Sequence, residues 1–137
     1  MLHPARTVRT ELPLAITADS GDAEIGAELR YDPADPFAVC LAIGVECPDP
    51  VVWFFARDLL AEGVQHAAGE GDITIEPIDA DGRREVQLTL ATNCIAMLSA
   101  PREKVMEFLV ESFTVVPSGC ELDLVDLDTE IEALLAS

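Results

Sequence analysis

Catalysis needs nucleophiles, bases or metal ligands, and this chain is short of all three. Its histidines are His3 and His66. Neither has a Cys or His at a spacing that would hold a metal, and both read as solvated loop residues. Cys40, Cys47, Cys94 and Cys120 contain no Cys-x-x-Cys pair. Cys40 and Cys94 lie in apolar strand-like runs, where cysteine behaves as a small hydrophobe. A serine nucleophile needs a neighbouring base and a sharp turn to present it, yet there is no Gly-x-Ser-x-Gly. Gly69-Glu70-Gly71-Asp72 is too short and too acidic to cradle a phosphate and reads as a turn. Asp79-x-Asp81-Gly82 faintly resembles a calcium loop, but Arg83 holds the fifth position and the glycine comes early; a hairpin is the preferred reading. Paired carboxylates could move protons, but with 26 acids some pairs arise by chance. Trp53, Phe54 and Phe55 could stack bases; with only Arg57 nearby, core packing is preferred. The expectation is therefore no catalytic residue, no cofactor and no metal.

Charge points the same way. Against the 26 acids stand 8 Lys and Arg, for a net charge of −18. That field repels phosphate backbones and anionic lipid. The bases are scattered, and the adjacent pair Arg83-Arg84 is flanked by Asp79, Asp81 and Glu85. Such a surface favours protein partners with basic patches; neither nucleic acid nor membrane insertion is expected. The C-terminal stretch has the most pronounced pattern: Glu121, Asp123, Asp126, Asp128, Glu130 and Glu132, with no base through Ser137. It reads either as a solvated, well-capped surface or as a docking face for a basic partner.

The elements that would position these residues follow from hydrophobic period. Residues 1–10 read as a flexible arm and 11–137 as one domain. Strands are expected at Leu12–Ala18, Glu24–Tyr31, Phe37–Val45 and Val51–Ala56. The last is apolar on both faces, which predicts a central strand covered twice. Arg57–Glu62 reads as a short helix closed by Gly63. Strands near Ile73–Ile78 and Arg84–Ala91 flank the hairpin signal Asp81-Gly82, and Cys94–Leu98 follows. Pro101 opens a helix whose stripe is Val105, Phe108, Leu109 and Phe113, and a terminal helix is expected over 128–136. Each half reads as a meander followed by a helix. The class is α+β with antiparallel sheets of about seven strands, a short mid-chain helix and C-terminal helices. With no apolar leader and no apolar run of the ~20 residues a bilayer demands, the thiols are read as reduced in a cytoplasm.

Four stretches carry a resemblance: Leu29-Arg30-Tyr31-Asp32-Pro33-Ala34-Asp35-Pro36-Phe37-Ala38-Val39, Trp53-Phe54-Phe55-Ala56-Arg57-Asp58-Leu59-Leu60-Ala61-Glu62-Gly63, Gly71-Asp72-Ile73 and Asp126-Leu127-Asp128. Over residues 11–136 the chain resembles the SsgA-like sporulation and cell-division family of actinobacteria. The resemblance implies a whirly-like domain, trimeric, without enzyme activity or cofactor. It implies septum placement in sporulating filaments through FtsZ, a paralogue of the family, or both, in the cytoplasm at the division septum. The alternative it carries is single-stranded nucleic-acid binding on the whirly-like sheet. Among the motif residues, Arg30, Tyr31, Asp32, Asp35, Pro36, Trp53, Arg57, Asp58 and Gly63 are read as structural.

Overall fold

The computed structural model describes residues 6–18, 21–91 and 95–121. In chain order these form β1 (Val8–Ala18), β2 (Gly21–Tyr31), β3 (Ala38–Ile43), β4 (Val51–Ala56), α1 (Arg57–Gly63), β5 (Ala68–Glu70), β6 (Ile73–Ala80), β7 (Arg83–Ala91), β8 (Ile95–Pro101) and α2 (Arg102–Val115). All eight strands belong to one sheet, ordered β4-β3-β2-β1-β8-β7-β6-β5, and every pairing is antiparallel. Each half is a four-stranded meander followed by a helix. The halves join where β1 pairs β8 through Ala15↔Ser99, Ile16↔Leu98 and Thr17↔Met97. The α+β class is as expected; the strand beyond the expected seven is β5, three residues too short to show a period. Gly71, at φ 62°, turns it back onto β6.

Period two builds the core. Val8, Leu12 and Leu14 of β1 share a face with Ala27, Leu29 and Tyr31 of β2 and with Val39 and Leu41 of β3, and all are buried. Ile75, Val86, Leu88, Leu90 and Leu98 extend that face through the second meander. The sheet curls around α2, which packs on β1, β7 and β8. Of the stripe expected on α2, Val105, Phe108 and Leu109 are buried. Phe113 is half-buried, and Ser112 takes a fully buried position, its hydroxyl donating to the Leu109 carbonyl at 2.9 Å. Each large side chain so buried contributes about 1.5–3 kcal/mol.

The Asp81-Gly82 hairpin is as read: Ala80 pairs Arg83, and both loop residues have positive φ, 52° and 78°, as a type I′ turn requires. Three expectations are corrected. The arm does not reach residue 10, because β1 starts at Val8, which is fully buried. Gly63 does not close α1 in a left-handed conformation. The helix closes at Val64 in a right-handed conformation, while a Cβ on Gly63 would lie 2.3 Å from Ile75 Cγ2. The residue is small because α1 presses on β6. Finally, β4 is not central but ends the sheet. The helix expected over 128–136 lies outside the described residues.

Candidate interaction surface

Two of the motif stretches meet at Arg57. The residue sits where β4 turns into α1, and its backbone N–H donates to the Phe37 carbonyl at 2.8 Å. Its guanidinium is 1% exposed, so the charge must find partners inside the protein. Nη1 donates to the carbonyls of Ser112 (3.0 Å) and Val116 (2.9 Å). These carbonyls lie at the C-terminal end of α2, where the dipole favours a cation; that of Ser112 also accepts the Val116 N–H at 2.9 Å, and that of Val116 lies past the last helical donor. Nη2 donates to Glu121 Oε1 at 2.8 Å. The guanidinium carbon lies 4.0 Å from the Phe113 ring centroid and 4.6 Å from that of Tyr31. The Tyr31 hydroxyl in turn donates to the Pro36 carbonyl at 2.9 Å. Arg57 thereby ties the β2–β3 turn, the end of α2 and residue 121 to one planar fork, a task a lysine could not perform.

Electrostatics fit this geometry. The Glu121 carboxyl is held below the usual carboxylate range, first by its own backbone N–H and then by Arg57 and the Gly119 N–H. Burial pushes the Tyr31 phenol up, with Arg57 partly opposing. Among the described residues Arg57 Nε alone of the buried side-chain polar atoms has no partner. Such a site holds the fold together and offers nothing to a visiting molecule.

Glu121 is therefore removed from the acidic docking face on which it was expected: it is 7% exposed and ion-paired. Asp123, Asp126, Asp128, Glu130 and Glu132 lie outside the described residues. Asp32 accepts the Ala34 N–H at 2.9 Å and so shapes the double-proline turn, in which the Asp35 carbonyl accepts from Ala38. Arg30 pairs with Glu28 on the outer sheet face, and that bond raises its already high pKa. Asp58 is exposed in the first turn of α1.

The available surface is at β4. Its register with β3 puts Val51, Trp53 and Phe55 on the inner face and Val52 and Phe54 on the outer face. Phe55 is buried and Trp53 half-buried, whereas Val52 is 43% and Phe54 66% exposed. The three aromatics thus point to alternate faces and form no common stacking platform. Beside Phe54 on the outer face are the small residues Ala38 and Cys40 of β3, then Arg30 and Arg9. Burial pushes the half-buried Cys40 thiol up in pKa, which keeps it protonated. The sequence signal for the surface was present in Val52 and Phe54; reading both faces of β4 as core concealed it. Among the described residues no group of His, Cys, Asp or Glu could hold a metal, and no helix is long and apolar enough to cross a membrane.

Comparison with known proteins agrees with the fold and the motifs. The model of the family "Streptomyces sporulation and cell division protein, SsgA" matches residues 25–121. The chain is 38% identical over 132 residues to the sporulation-specific cell division protein SsgB of Streptomyces coelicolor, covering 95% of this chain and 96% of the relative. It is 36% identical over 131 residues to SsgB of Frankia casuarinae, covering 94% and 92%. The solved structure of an SsgA-like sporulation-specific cell division protein from Thermobifida fusca superposes with a TM-score of 0.86 at 32% identity, covering 97% of this chain and 98% of that one. A solved SsgB from Streptomyces coelicolor gives 0.82 at 35%, covering 90% and 99%.

Proposed function

The chain belongs to the SsgA family of sporulation and cell division proteins, and on that premise we propose that it is a non-enzymatic adaptor that helps place the division septum. The relatives' names supply the process, cell division during sporulation. The observation that carries the mode of action is β4: the edge strand of the sheet among the described residues, with Val51 56%, Val52 43% and Phe54 66% exposed. Native proteins usually blunt such an edge with charge or proline. An apolar one fits strand addition by another chain or docking against a second surface.

In this reading the protein is a homotrimer in which β4 forms part of the contact between copies, and the assembly docks FtsZ, alone or with a paralogue of the family. It acts in the cytoplasm at the septum. The repeated order of four strands and a helix supports the whirly-like reading of the domain. The protein, not nucleic-acid, reading is favoured by the outer sheet face, where Glu11, Glu24 and Glu28 stand among Arg9 and Arg30 and oppose a phosphate backbone.

Co-sedimentation with purified FtsZ polymers tests the partner. The protein is expected in the pellet, or to alter polymerisation, and V52K/F54K to weaken either effect. Absence of both effects, with and without a paralogue, would count against FtsZ docking. Retarded migration of single-stranded DNA at low salt, fading as salt rises, would support the nucleic-acid alternative instead.

A further inference from the structure

The structure gathers what the sequence scatters. Arg83 and Arg84 at the start of β7 and Arg102 at the start of α2 line one open groove, whose floor includes Met106 and Val110. Met106 is half-buried and Val110 is 60% exposed, so the floor is apolar and uncovered by the described residues. Arg102 Nε donates to the Val64 carbonyl at 3.2 Å. No ion pair joins any of these three arginines to a described residue, although the chain carries 26 acids. The groove's own acids are Glu103, Glu107 and Glu111. Glu107 is engaged by Lys104 at 3.6 Å and Glu111 by Arg6 at 3.7 Å. That leaves Glu103 against three guanidiniums. Asp79 is the cross-strand partner of Arg84 and shares its face, and with Glu85 it lines an adjoining groove beside Arg84 and Arg102.

We propose that this groove is the intramolecular docking site of the chain's own acidic C-terminal segment, residues 126–136. Arg83, Arg84 and Arg102 would receive its carboxylates, and Met106 and Val110 its apolar side chains. Three features of the chain support the assignment. The segment carries Asp126, Asp128, Glu130 and Glu132 and no base, the complement of the groove. It carries Ile131, Leu134 and Leu135 at helical spacing, a stripe in need of an apolar floor. It is also within reach. Glu121 is anchored by Arg57 to the last turns of α2, and α2 from end to end spans about 20 Å. Residues 122–127, extended, span about the same distance. A cationic groove on a chain of charge −18 finds its most abundant anion at an effective concentration no separate partner matches. The tail's charge is then satisfied within the molecule, and an acidic partner could occupy the groove only by displacing it. The proposal is independent of the β4 reading.

Hydrogen exchange of the full chain, followed by mass spectrometry, decides it. Amides of 128–136 are expected to be protected in the native protein. R83E/R84E, on the exposed hairpin, is expected to raise their exchange about tenfold or more while the amides of β1 and β2 are unchanged. Combining it with D128R/E130R/E132R is expected to restore most of the protection. An unprotected tail in the native chain would overturn the proposal, as would exchange indifferent to R83E/R84E. Protection that is lost on dilution would overturn it too, because the contact would then lie between copies.

Discussion

The guanidinium of Arg57 and the carboxylate of Glu121 meet at 2.8 Å although 64 positions separate them in the chain. The pair is buried on both sides, with side-chain exposures of 1% and 9%. A buried ion pair of this kind is costly to form, because both groups leave water. It persists only where further hydrogen bonds satisfy the remaining donors and acceptors. Here Ser112, Val116 and Gly119 supply those bonds. The relation makes the mid-chain motif the clamp on the far end of the described fold.

Replacing Arg57 is therefore expected to be severe. R57A strands the Glu121 carboxylate and the Val116 carbonyl, and breaking a buried pair costs about 3–5 kcal/mol. R57K is expected to rescue little, since one ammonium cannot reach Ser112, Val116 and Glu121 together. Urea unfolding of the three proteins, compared at equal m-value, measures both effects.

The same pair sets an acid limit. The folded-state pKa of Glu121 is depressed, by its own backbone N–H and then by Arg57. Its ionised form is thus favoured by folding. That stability is fully present above the unfolded value of about 4.3 and is lost as pH falls from there through the folded value. E121Q is expected to lower the urea midpoint at pH 7, and the gap from the parent protein is expected to narrow in that acid window. A gap that stays constant down to pH 3 would contradict the assignment.

Gly63→Ala inverts the usual helix rule. In an open helix interior the change would gain about 0.5–1 kcal/mol. Here the new Cβ would sit 2.3 Å from Ile75 Cγ2, 2.5 Å from Ile75 Cβ and 3.1 Å from the Ile75 carbonyl oxygen. G63A is expected to destabilise by about 1–3 kcal/mol, the usual cost of overpacking, and to cost less in an I75A background, where Cγ2 is gone but the residue-75 Cβ and carbonyl oxygen remain close. Thermal melts of the single and double variants test this.

Charging the edge separates assembly from folding. Val52 and Phe54 face outward, so V52K/F54K is expected to leave the urea midpoint within about 0.5 kcal/mol of the parent. Sedimentation velocity is expected to show the proposed trimer reduced to monomers, since edge lysines oppose strand addition. Unchanged assembly would place the contact between copies elsewhere.

Cysteine accessibility gives a simple check of the outer face. Cys47 is exposed in the turn after β3, while Cys40 is half-buried with its thiol pKa raised by burial. Because thiolate is the reactive form, Cys40 is expected to alkylate more slowly than Cys47 in the native protein and to catch up in urea. Peptide mass mapping of the labelled sites reads the order.

Much of this molecule was legible from its residues. Alternating apolar positions in β1, β2, β3 and β7, the Asp81-Gly82 turn and the helical stripe of α2 are local signals. Each depends on spacing that a chain cannot hide, and together they determined the α+β class and the meander-helix halves. The scarcity of bases and ligands was likewise a property of composition. What the tertiary structure decided were the pairings of distant residues. Whether β4 lay at the centre or the edge depended on which strand sat beside it, and an apolar strand looks the same in either place. Gly63 looked like a helix terminator because the sequence does not display Ile75 pressing against it. Arg57 reads as a structural motif residue, but what it holds together appears only where Tyr31, Phe113 and Glu121 close around it. Arg83, Arg84 and Arg102 became neighbours only once α2 had packed beside β7. Periodicity is written along the chain, whereas burial and adjacency are properties of the folded sheet and its helices, because only there do segments far apart in sequence exclude water from each other.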